Sequence, residues 1–264
     1  MIIIYKKYDL KLNNTYEKPS RVLKFQIWHY SKTKKSKRKD KCIKKLKTYL
    51  GRLIRNFETQ ITKTELKILS TDKLLISKIK KIYNQSALTP QQLKDYKKNT
   101  KYIYSLHAPE VECIVKGKLN KTAEFGNKVS IAITGEDNFV VGIKSFHGNP
   151  YDGHTLDQTI DLVQQITKKD VKEVYLDMGY RGHNYSKKNQ VYHRRCKKRL
   201  SSENKRMLKR RNAIEPIIGH LKTYGRMACN RLKGILGDVL NPILSAIGLN
   251  LRAILRHVIL LSSS

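Results

Sequence analysis

Apolar residues recur along the first third of the chain at three- and four-residue intervals. Ile43, Leu46, Leu50, Leu53 and Ile54 suit a helix with one buried stripe. A further helix is expected from Lys63 to Gln85, stopping ahead of Thr89-Pro90, where proline breaks a helix or opens the next. Residues 1–100 therefore read as a mostly helical region. From Lys101 the texture becomes β-branched and aromatic. Phe125 to Ile133 and Phe139 to Phe146 alternate as a hairpin, with Gly135-Glu136-Asp137-Asn138 as its turn. A polar loop, His147 to His154, leads to Thr155 as the N-cap of a helix reaching about Lys168. The apolar run Val171 to Leu176 then reads as a buried strand that breaks at Gly179. Leu240 to Leu261 is long and apolar, but Asn241, Asn250, Arg252, Arg256 and His257 interrupt it, which suits an amphipathic closing helix better than a membrane span. The fold class expected is α/β, a mixed sheet flanked by helices over residues 101–261, preceded by the helical region.

Charge changes the picture. The 264 residues carry 55 Lys+Arg against 21 Asp+Glu, a formal net charge of +34, which points to a polyanionic partner such as nucleic acid. A lysine-rich proteome is the bland explanation, yet a compact fold this cationic repels itself without an anionic ligand. The densest run is Ser31 to Lys39, just ahead of the apolar stripe, so its cations face outward, either solvated or against DNA phosphates. Cys42, Cys113, Cys196 and Cys229 form no C-x-x-C pair and read as reduced cytosolic thiols. The start, Met1 to Lys7, has its short apolar run ahead of the charge, the reverse of a signal peptide.

Two stretches carry candidate chemistry. In Leu176-Asp177-Met178-Gly179-Tyr180-Arg181-Gly182-His183 a carboxylate stands where a strand ends. In Arg211-x3-Glu215-x6-Lys222 a helical carboxylate is flanked by cations four and seven residues away, which one helical face would align. Acids from two elements hold divalent ions, and cations grip phosphates on either side of the attacked bond. Against this, Asp177 equally caps a turn, and Glu215 before Pro216 suits a plain first-turn position. His107, His154, His183 and His220 fall on separate elements without zinc spacing, and Asp152 and His154 read as loop-shaping residues.

Several ordered stretches together resemble a known family. They are Tyr104 to Ile114, Lys116-Gly117-Lys118 with Glu124 to Val129, Gly148 to Leu156, Asp177-x-Gly179-Tyr180-Arg181-Gly182-His183, and Ile214 to Lys222. This set is similar to insertion-sequence transposases of family five in the DDE superfamily, and Lys44 to Arg52 resembles that family's basic helical insert. The resemblance implies an RNase H-like fold with a triad of two Asp and one Glu around Mg²⁺ or Mn²⁺. Asp177 matches the second Asp and Glu215 the Glu, both as catalytic metal ligands; Arg211 and Lys222 match the flanking cations, and Arg181 joins them as a phosphate contact. Two departures stand out. The family's Tyr three residues before the Arg is Leu208 here. The first Asp belongs to a Val-Asp-Thr-Thr-like strand upstream of the insert, and none of Asp9, Asp40, Asp72 or Asp95 has that setting. The expectation is a copy truncated at its N-terminus, lacking strand one and any end-binding domain.

The leading expectation is therefore a cytoplasmic, nucleoid-associated transposase that cuts and joins double-stranded DNA at element ends, as a possible homo-oligomer without a membrane partner, and catalytically incomplete in this copy. A non-catalytic DNA-binding remnant or regulator of transposition competes with it. A basic RNA- or ribosome-associated protein is the third reading, and it leaves the settings of Asp177 and Glu215 unexplained.

Overall fold

Glu65 adopts the left-handed conformation (φ 48°), a break that ends a long helix within the helical region. A computed structural model describes all residues except 34, 119–120, 184, 186–189, 196–199 and 263–264, and except the side chains of 116–118, 121–122 and 260–261. Lys34 of the cationic run and Cys196 thus lie outside the described residues. The chain forms two compact units, Met1–His107 and Ala108–Ser264.

The first unit contains α1 (Ile2–Lys7), α2 (Glu17–Lys32), α3 (Ser36–Thr64), α4 (Ser70–Gln85) and α5 (Pro90–Asn99). The helix expected from Lys63 starts only at Ser70. Between the two helices, the Tyr8 hydroxyl accepts from the Leu69 amide at 2.9 Å and donates to Asp72 at 2.7 Å, fixing where α4 begins. Pro90 opens α5 behind a Thr89–Gln92 capping box, as the proline requires. The core joins Ile4 and Tyr5 of α1 to Leu53, Ile54 and Phe57 of α3 and Ile76 and Ile79 of α4. Tyr5 meets Phe57 edge-on at 5.7 Å and donates to the Leu53 carbonyl at 2.8 Å, and burial pushes its hydroxyl up to about 12. The expected stripe is rotated: Cys42 and Phe57 are buried while Ile43 is exposed.

The second unit is mixed α/β. Strands β1 (Glu112–Lys118) and β2 (Lys121–Gly126) form an antiparallel pair that the sequence pattern did not suggest, and it takes Phe125 away from the expected hairpin. That hairpin is present as β3 (Lys128–Ile133) and β4 (Val140–Phe146), with the Thr134 amide bonded to the Phe139 carbonyl across its turn. Next, α6 (Asp152–Thr167) has Tyr151 as its N-cap, four residues ahead of the expected cap Thr155. Thr155 is buried inside its first turn, donating to the Asp152 carbonyl at 2.7 Å, and does not cap it. The chain reverses at Lys168 (φ 55°) into the short β5 (Glu173–Tyr175), paired in parallel with β6 (Gln190–Tyr192). Helices α7 (Ser202–Arg210), α8 (Ile214–Thr223) and α9 (Gly234–Ser262) complete the unit. Among the described residues the strands form three separate pairs; the expected single mixed sheet is not formed.

Packing of α6 on the hairpin requires Gly142, where a Cβ would fall 2.6 Å from Val163 Cγ2. From the other end, the Asn250 amide of α9 clamps β4, accepting from the Val140 amide at 3.0 Å and donating to its carbonyl at 2.8 Å. Leu221, fully buried, joins Ile217, Val140, Ile143 and Ala246 in the core between these elements. On both sides of Asn250, α9 leaves many of its large apolar residues exposed. Leu240, Leu244, Ile247, Leu251, Ile254 and Val258 form one exposed row at alternating four- and three-residue steps. By length and composition Gly234–Ile259 is apolar enough to cross a membrane.

Phe57→Ala removes a ring that is 2% exposed and is expected to cost about 3–5 kcal/mol. Trp28, the single tryptophan, lies in the same unit, so its fluorescence in a urea titration reports the earlier midpoint.

Candidate functional site

Asp177 stands two residues beyond the end of β5 at Tyr175, where the chain turns into a 3₁₀ turn, Met178–Tyr180. Its side chain caps that turn, Oδ1 accepting from the Met178 amide at 2.7 Å. Gly179 permits the turn to approach α6: a Cβ there would fall 2.7 Å from Asp152 Oδ2. Opposite Asp177 lies Arg211, whose Nη1 is 3.1 Å from Asp177 Oδ1. The arginine side chain is 10% exposed and the aspartate 67%, so the carboxylate faces solvent while its counterion is held in the protein. Arg211 Nη2 donates to Asn212 at 2.9 Å, and Nε is buried without a partner.

Arg211 does not share a helix with Glu215. It begins a 3₁₀ turn, Arg211–Ala213, between α7 and α8, so the alignment of Arg211, Glu215 and Lys222 along one α-helical face is not realised. Glu215 occupies the first turn of α8, exposed, and Lys222 its last turn. Both ends match the helix dipole, which is a local reason for those residue types irrespective of chemistry. Arg181 closes the turn after Asp177; it is exposed, and its carbonyl accepts from the Tyr151 hydroxyl. Of the five residues singled out, the fold brings Asp177 and Arg211 into contact.

These two sit at the mouth of a groove of about 500 Å³ lined by β3, β5 and α6 together with Arg210, Arg211, Ile214 and Ile218. Glu215, Lys222 and Arg181 do not line it. Arg210 is fixed by donating to the carbonyls of Gly135 and Glu136 in the hairpin turn. At the same mouth the Tyr180 and Ser130 hydroxyls are 3.1 Å apart. His183, on the following loop, is depressed below its ordinary 6.5, first by burial and then by the nearby His193.

A magnesium-class ion takes six oxygen ligands, commonly one or two carboxylates with waters and substrate phosphates. The groove lining holds two carboxylates, Asp177, paired with a guanidinium, and Glu173, which accepts from the Tyr175 hydroxyl at 2.6 Å. Among the described residues no three His, Cys, Asp or Glu side chains converge.

A different feature escaped the sequence reading. On α2, Phe25 and Trp28 are exposed, with ring centroids 5.9 Å apart, and Lys32 Nζ lies 4.6 Å over the Trp28 ring. Exposed aromatic rings beside cations are how proteins stack on nucleic-acid bases while holding the backbone. The signal was available in Arg21, Lys24, Phe25, Trp28 and Lys32, which recur at helical spacing ahead of the lysine run.

Compared with known proteins, the chain matches no family model, no curated protein and no solved structure.

Protonation of His183 is disfavoured in the folded state, so stability is full above its ordinary value of 6.5 and declines as pH falls from there to the depressed folded value. His183→Asn is expected to flatten that decline. Urea midpoints of the two proteins measured from neutral to mildly acid pH give the comparison.

Proposed function

We propose that this chain is a DNA-binding member of the insertion-sequence transposases, built on an RNase H-like plan, whose own residues hold phosphates better than they cut them. The observation that carries the reading is Asp177 just past a strand, held by the largely buried side chain of Arg211 at the mouth of a groove, in a chain of net charge +34. The order of elements supports the plan: an antiparallel pair, a helix packed on it, then a parallel pair whose first strand is followed two residues on by the acid. Arg211 gives a planar donor fork suited to phosphate oxygens, and Arg181 an exposed cation on the turn that follows Asp177. Asp177 and Glu215 are the candidate ligands for Mg²⁺ or Mn²⁺, with Lys222 as a further phosphate contact. Double-stranded DNA is the partner.

The ion pair also favours the second reading, a non-catalytic DNA-binding remnant that occupies element ends or regulates intact copies. A carboxylate already neutralised by its own arginine has less to gain from a divalent ion. The two readings separate on a supercoiled plasmid carrying the element's ends, with Mg²⁺ or Mn²⁺, for the chain, Asp177→Asn and Glu215→Gln. Retained DNA binding with nicking no greater than that of the variants is the expected result. Metal-dependent nicking abolished by either change restores the full enzyme, whereas absence of DNA binding at low salt sinks both readings.

DNA binding is expected to weaken steeply with salt, log K falling by roughly 0.9 per phosphate neutralised. Trp28, as the one tryptophan, gives an intrinsic signal: its fluorescence should be quenched by DNA, and Trp28→Ala should weaken single-strand binding by about 1–3 kcal/mol. An unchanged spectrum at saturating DNA would remove α2 from the interface.

A further inference from the structure

A separate groove lies within the first unit, on the side of α4 that carries Lys73, Ile76, Lys80, Lys81 and Asn84. These positions recur at helical spacing, so they share one face of the helix over about 16 Å. The end of α3 and the segment after it supply the facing wall, and the volume is about 690 Å³. That is the size of a small-molecule site, roughly 300–1,000 Å³. A helix laid along the same stretch, at least about 10 Å across, would need nearly twice the space.

The lining is sorted into an apolar end and a cationic end. Lys80 of α4 is ion-paired to Glu58 of α3 at 2.5 Å, which sets those two levels side by side. The chain reverses between the two helices, so going on along α3 to Ile61 means going back along α4 to Ile76. Phe57, Ile61, Ile68 and Ile76 thus gather from the ion pair towards the α3–α4 connection, while Lys81 and Asn84 stand beyond it. Phe57 and Ile76 are buried in the core, whereas Ile61 and Ile68 are half-buried and leave aliphatic surface on the groove. Lys73, at the far end, is exposed to water. At the cationic end Glu58 neutralises Lys80, and Lys81 has no carboxylate partner among the described residues, so one positive charge is left over. A phosphate monoester carries about −1.5 to −2 at neutral pH and meets the repulsion of Glu58. A carboxylate carries a single charge, which matches.

We infer that this groove binds the anion of a medium-chain alkyl carboxylic acid, with its tail on Phe57, Ile61, Ile68 and Ile76 and its carboxylate at Lys81. An aliphatic floor that ends at one uncompensated ammonium suits a tail with a single negative head. The tail gains by leaving water and the head by pairing with the free cation. The inference goes beyond the nucleic-acid reading and shares no residue with Asp177 and its groove. Its experiment contains no DNA, so the failure of either leaves the other untouched.

The full chain is titrated calorimetrically with butyrate, hexanoate, octanoate, decanoate and decyl phosphate near physiological ionic strength. The expected result is one decanoate per chain, with affinity rising by up to about fourfold for each methylene added to the tail. Butyrate, which has the charge without the tail, should show no saturable binding. Lys81→Gln should weaken decanoate about tenfold. Lys73→Gln at the far end, and Lys78→Gln on α4 outside the groove, should each change it by about twofold or less. Ile61→Asn should weaken decanoate in a chain whose circular dichroism is unchanged. Uptake that follows charge alone, equal losses from Lys81→Gln and Lys73→Gln, or tighter binding of decyl phosphate than of decanoate overturns the inference. No binding of any carboxylate at about 1 mM by a folded chain sinks it, since that concentration reveals even weak sites. Saturable binding of an acidic amphipathic peptide in place of decanoate, lost in Lys81→Gln, overturns it in favour of a partner helix.

Discussion

The close approach of α6 to the β3–β4 hairpin is the constraint on which the second unit depends. Gly142 removes the side chain that would keep Val163 away, and the Lys128–Asp152 pair sets the helix against the start of β3. With α6 so placed, the reversal at Lys168 leaves β5 little freedom, and Leu176 returns to Leu156. Asp177 then emerges where Gly179 lets the turn press against Asp152. The position of the candidate acid is thus a product of helix–hairpin packing, and two glycines are its steric condition.

On the other side of the groove, positioning is electrostatic as well as steric. The Arg211 side chain is largely withdrawn from solvent in a chain that already carries a large excess of positive charge, which is costly unless a carboxylate lies close. Asp177 supplies that partner from the rim. The pair is asymmetric: the cation needs the anion more than the solvated anion needs the cation. In the first unit the division is simpler, with apolar residues of α1, α3 and α4 inside and lysines outward, and Tyr5 supplying the one hydroxyl that the core places on the Leu53 carbonyl.

Much of this was legible in the sequence where side-chain pattern and turn chemistry agree. The hairpin announced itself through alternation around Gly135 to Asn138, and Pro90 marked the start of α5. Position was lost where backbone conformation overrode periodicity. Glu65 in the left-handed region ends α3 and delays to Ser70 a helix expected from Lys63, and Thr155 looked like a cap but is buried with its hydroxyl turned back onto Asp152. The β1–β2 pair was missed because charged residues dilute its alternation. At the candidate site Asp177 was legible as a strand-end acid. The break at Arg211–Ala213 was not, since nothing in Arg211-Asn212-Ala213 forbids a continuous helix. Contact between Asp177 and Arg211 depends on tertiary packing that no local pattern encodes.

The exposed row of α9 gives the chain a colloidal character of its own. Six large apolar side chains at coiled-coil spacing favour contact between copies, while a charge of +34 on each opposes it. Salt shifts both terms in one direction, shortening the range of repulsion to about 8 Å near physiological ionic strength and leaving apolar contact intact. The same salt loosens the grip on a polyanion. Ionic strength therefore acts as a selector between two kinds of neighbour: dilute buffer favours the chain alone on an anionic surface, and concentrated buffer favours the chain against itself.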